Sequence, residues 1–197
     1  GEVYFMFSAD SGFTAEHLFP LFATPGLERQ SWEPYLYHPR WNNRFLEQGF
    51  VDLVVNAYPR LEGLSNPGLE GQYWRLLVSI VSFSDMEADK RATILDHLVL
   101  EQDGHYFVRF LDCLAMQLSG EQPDEASQLW DEWIGLYMQR RFDGQPRRPA
   151  QEELEAWADL VPFFASRIPS AAGIVSEQPI GLRSTIYWEA LPDSTIN

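Results

Sequence analysis

The stretch Asp124–Gly144, DEASQLWDEWIGLYMQRRFDG, constrains the fold more than any other part of the chain. Ala126, Leu129, Trp130, Trp133, Ile134, Tyr137 and Met138 recur at the three-and-four spacing that stacks side chains on one face of an α-helix. Asp124 and Glu125 open it, Arg140 and Arg141 close it, and Gly144 follows, as the helix dipole and a helix C-terminus prefer. A stripe holding two Trp and a Tyr is too bulky to stand in water. It reads as a central core helix.

Taken in order, the chain repeats this pattern. Residues 3–9 fit a short strand or the tail of a helix. Thr14 is placed to cap a short helix through Leu18, Leu21 and Phe22, with Ser11-Gly12 as a turn before it. Further helices are expected at about 27–37, with Pro34 inside, and at 40–58, weakened by Gly49 and ended by Pro59. LSNPGLEG (Leu64–Gly71) reads as a turn. Tyr73–Phe83 is apolar nearly all round; a strand is the rival, but Trp74, Leu77, Val78 and Val81 keep the helical interval. Ser84-Asp85 is placed to cap a helix at 86–101, Asp103-Gly104 breaks it, and 105–118 follows. GQPRRP (Gly144–Pro149) is a basic connector, and 150–167 is a helix that Pro162 kinks. Short helices are expected around Ser170–Ser176 and Leu182–Leu191.

The fold class this implies is all-α: an irregular helical bundle or a short stack of helical hairpins, with a HEAT-like superhelix as one form of the latter. The seven Trp fall at no fixed interval, so no repeat emerges. The chain starts with Gly, and Val3–Phe7 is apolar at once. Residues 1–13 therefore read as a segment entering from a preceding domain, and 14–197 as one helical domain excised from a larger protein.

Composition narrows the function classes. Hydrophobic content of 45% argues against disorder. A net charge of −15 disfavours general binding to nucleic acid or anionic lipid, and no apolar run approaches a membrane span. Cys113 is the single cysteine and sits in an apolar run, which fits an inert buried thiol in a reducing cytoplasm. No phosphate loop, dinucleotide fingerprint, nucleophile elbow or zincin motif occurs, and no cofactor is implied.

Two clusters remain as candidate sites. His97 and Glu101 stand one helical turn apart, with Asp103 and His105 after them, a spacing at which an imidazole and a carboxylate can share a metal ion. A small hydrolase or metal-dependent enzyme built on acids with His97 or His105 is the alternative reading of the chain. Arg140, Arg141, Arg147 and Arg148 gather four of 14 basic residues within nine positions. They suit an acidic partner surface or another anion. Alternatively, the first two complement the helix end while the last two pair with the acids of 152–155.

HLFPLF (His17–Phe22), Trp32 with YLYHPRWNNRFLEQ (Tyr35–Gln48), and WDEWIGLYMQRRFDGQPRRPAQEELEAWADLVPFF (Trp130–Phe164) together carry a resemblance. The pattern is similar to an uncharacterised helical domain near the C-terminal end of large bacterial proteins, some with a sirtuin-like NAD-hydrolysing domain upstream. The resemblance spans roughly residues 14–180. It implies a scaffold or interaction role in a protein associated with defence against phage, with protein partners or other domains of the parent chain. It carries no catalytic residue onto this sequence.

Overall fold

The computed structural model describes residues 2–61, 66, 68–120, 123–164 and 167. Every regular element among these is helical, and none is long and apolar enough to cross a membrane. Tyr73–Phe83 lies inside a helix, as the spacing of its tryptophan and aliphatic residues predicts. The helices expected at Ser170–Ser176 and Leu182–Leu191 lie outside the described residues. The chain divides into two compact units, Gly1–Glu87 and Ala88–Asn197. That division falls inside the stretch 14–197, which the sequence reads as one domain. Residues 2–13 pack into the first unit.

In the first unit, α1 (Glu2–Ala9) sends Phe7 inward against Phe19 and Phe45. The next helix, α2, runs as three successive segments, Ser11–Phe13, Thr14–Leu18 and Phe19–Phe22. Its cap is Asp10, whose carboxylate accepts the Phe13 N–H at 2.9 Å; Thr14, the expected cap, is internal and donates to the Asp10 carbonyl. Asp10 wins because its backbone is extended while Thr14 is already helical, and an N-cap needs the former. Helix α3 (Glu28–Tyr37) tolerates Pro34.

The expected helix at 40–58 is shorter and broken. Asn42 caps it through the Phe45 N–H, and α4 comprises Asn43–Phe45, Leu46–Phe50 and Val51–Val55, with Gly49 at φ 99°. Pro59 lies in the first turn of a further short helix, α5 (Tyr58–Leu61), where its missing N–H costs nothing. Helix α6 (Gly68–Phe83) takes over the end of the expected turn. Phe50 is the hub of this unit: fully buried, its ring meets those of Phe19, Phe22, Trp32, Tyr35 and Phe45 at 4.3–5.9 Å. Asp85 does not start the following helix. Its N–H and carboxylate both bond the Asn43 side chain.

In the second unit, α7 (Ala88–Leu100) ends where Gln102, Asp103 and Gly104 take φ of 44°, 54° and 89°. Three left-handed residues in succession reverse the chain into α8 (His105–Leu118). Helix α9 is the stretch that dominates the sequence, built of Pro123–Leu129, a π-helical turn Trp130–Ile134, and Gly135–Phe142. Its apolar stripe is buried from Ala126 to Met138, and Gly144 at φ 85° closes it. Helix α10 (Gln151–Leu160) passes at Pro162 into a 3-10 turn and buries Trp157 against Phe107.

Candidate functional site

Helices α7 and α9 leave an open groove of about 530 Å³ between them, entirely within the second unit. The sequence reason is a mismatch in side-chain size. Ala88 and Ala92, one turn apart on α7, present almost no bulk, while α9 presents Trp133, Leu136 and Tyr137. Leu95 and Trp133 are buried in the lining. Leu136 stands at the rim, 72% exposed.

One end of the groove is polar and closed upon itself. Tyr137 Oη donates to Asp96 Oδ1 at 2.9 Å, and Arg140 Nη2 donates to Asp96 Oδ2 at 2.5 Å. Burial, and then the Asp96 carboxylate, hold the Tyr137 phenol protonated far above its ordinary range. Arg91 is buried with its guanidinium 5.9 Å from the Trp133 ring. Burial weakens its hold on its proton, and the field of Glu132 partly restores it. Both lining arginines are thus turned inward or spent on a carboxylate. Of the charged lining residues Asp89 and Glu132 are exposed, while Arg140, about a third in solvent, is ion-paired to Asp96.

The four arginines of the basic cluster have four different environments. Arg140 closes the groove. Arg141 is fully buried and forks onto Glu153, Nε and Nη2 each 2.8 Å from a carboxylate oxygen, while Nη1 donates to the carbonyls of Gln145 and Arg147. It joins α9 to α10 and holds the connector between them. Arg147 lies against Gly104, its guanidinium filling the space that an added Cβ would need. Arg148 is exposed. Glu153, expected to serve Arg147 or Arg148, serves Arg141.

His97 Nδ1 and Glu101 Oε1 are 4.0 Å apart at the surface, and His105 is exposed at the start of α8. Among the described residues no group of three or more His, Cys, Asp or Glu side chains is gathered as a metal site would require. Cys113 is buried, as its apolar run predicts.

A second cavity, of about 450 Å³, lies in the first unit beside Leu18, Leu21 and Pro34. The Tyr35 hydroxyl that borders it is committed to the Arg40 carbonyl at 2.7 Å. Its exposed apolar residue is Pro34, a rigid ring, and not a long aliphatic side chain such as Leu136 at the groove. Sequence reasoning nominated no groove. Leu136 stands three positions after Trp133, beside the stripe, and spacing along the helix does not show that it is left in solvent. No protein-family model, curated protein or solved structure matches the chain.

Proposed function

We propose that this chain is a non-catalytic helical interaction domain of a larger bacterial protein, and that the α7–α9 groove of its second unit receives a segment of a partner protein or of another domain. The resemblance in sequence supports a parent protein of the kind associated with defence against phage. The observation that carries the reading is Leu136, a large aliphatic side chain held 72% in solvent beside a recess floored by Ala92, Leu95 and Trp133. An aliphatic anchor next to an aromatic floor with a charged rim is the anatomy of a protein contact. The deeper polar groups favour recognition over chemistry. Asp96, Tyr137 and Arg140 satisfy one another and hold the wall in shape, whereas a reacting site needs a donor or acceptor held ready for substrate. A single buried cysteine suits a reducing cytoplasm.

A photo-crosslinking residue placed at position 136 of the full chain, in its native cell, tests this. Positions 100 and 116 serve as controls, because Leu100 and Met116 are likewise exposed apolar residues of the second unit. Adducts confined to position 136 are expected. Equal adducts from all three positions would mean that the groove has no special role.

A further inference from the structure

The charges around the groove carry the reading one step further, to the class of partner. We infer that the occupant is a basic amphipathic helix, a partner segment whose large apolar side chains enter between α7 and α9 and whose Lys or Arg residues reach Asp89 and Glu132. This rests on the docking role proposed above.

Three observations support it. The first is length. The lining runs from Ala88 to Asp96 on one wall and from Glu132 to Arg140 on the other. Eight rises of a helix cover about 12 Å, so each wall is two turns long and matches two turns of an incoming helix, with anchors at i and i+3 or i+4. The second is the apolar surface. Ala88 and Ala92 let another backbone approach α7 closely, and Leu136 and Trp133 offer it aliphatic and aromatic contact.

The third is charge complementarity. Arg140 is bound to Asp96, and Arg91 is buried under the field of Glu132, so neither offers a free cation to an acidic ligand. Asp89 and Glu132 face solvent, one on each wall, in a chain of net charge −15. A cationic segment is drawn to such a rim, and an anionic one is repelled.

The probe is a fluorescein-labelled 18-residue helix of Leu and Lys at amphipathic spacing, followed by anisotropy. A Leu–Glu counterpart and a scrambled Leu–Lys peptide are compared with it. The Leu–Lys helix is expected to bind at least about tenfold tighter than either, and to weaken as salt screens the rim. Leu136→Asp separates docking from mere attraction to an acidic surface, because it adds negative charge and removes the anchor. It is expected to weaken the Leu–Lys helix by about tenfold or more, while Leu100→Asp, outside the groove, leaves it unchanged or slightly tighter. Leu136 is exposed, so the variant folds, which its far-ultraviolet circular dichroism checks.

Unchanged or tighter binding to Leu136→Asp overturns the inference, as does binding of neither helix. Equal or better binding of the Leu–Glu helix, lost in Leu136→Asp, overturns the basic class while the docking groove stands. Self-association of the unliganded chain, abolished by Leu136→Asp in analytical ultracentrifugation, would make a second copy the occupant and overturn it too.

Discussion

Arg141 shows how far a residue's role depends on what folds around it. In sequence it is one of four clustered arginines; in the structure it is a fully buried cation paired to Glu153, with the Trp157 indole N–H 3.4 Å from the same carboxylate. Such pairs gain little over an apolar core, but cost heavily when one partner goes. Arg141→Met alone is therefore expected to lose about 3–5 kcal/mol in urea denaturation, and the double change Arg141→Met with Glu153→Leu to recover most of it. A double variant no better than the single would show that the pair contributes net stability. Tyr137 makes a pH prediction. Its folded-state pKa is raised, so its contribution is complete below the unfolded value of about 10 and is lost as pH rises beyond it. The alkaline limb of stability should flatten in Tyr137→Phe. An unaltered limb, measured by melts between about pH 9 and 11, would assign the loss to other groups.

At the scale of the element, α9 is where sequence and structure agree most fully, because its signal is strictly local. A bulky apolar residue every three or four positions demands a helix and one buried face whatever surrounds it. The π-helical turn inside it is the part that periodicity does not announce. Gly135 follows that turn, and a Cβ there would stand 2.8 Å from Trp130 Cε2. On an exposed helix, replacing Gly by Ala gains up to about 1 kcal/mol. Here the indole is buried and packs on Phe164, ring centroids 4.9 Å apart, which limits its retreat. Gly135→Ala is expected to cost about 1–3 kcal/mol, the usual range for overpacking. A raised melting temperature would mean that the indole moves freely. Trp133→Ala should cost about 3–5 kcal/mol by thermal melt, as for any large buried aromatic. A shift of a degree or two would leave Trp133 a surface group. The capping residues were harder to read. Thr14 has the right side chain, but a cap also needs an extended backbone at that position, which neighbouring packing decides; Asp85 stands three residues before Ala88, where the helix begins.

For the whole molecule, the fold class was legible and the arrangement was not. Helical spacing recurs from Glu28 to Leu160, so an all-α protein follows from the order of residues alone. The division into two units, each with its own ring cluster, is invisible to periodicity, since a stripe shows that a face is buried without naming what buries it. Phe50→Ala, at the centre of the first cluster, should cost about 3–5 kcal/mol and strip hydrogen-exchange protection from the first unit. Loss confined to the ends of helices would show that the ring is not central. Net charge acts at this scale as well. The chain should pass a heparin column at low salt without retention, and retention that salt reverses would reopen nucleic-acid binding through the basic connector. What the order of residues determined by itself is which segments coil and which faces leave water, because both depend on neighbours within a turn or two. What only the tertiary structure decided is which arginine is interior, and that Leu136 overlooks a recess lined by alanines some forty positions away. Those depend on contacts between helices, and no spacing along one helix encodes its partner.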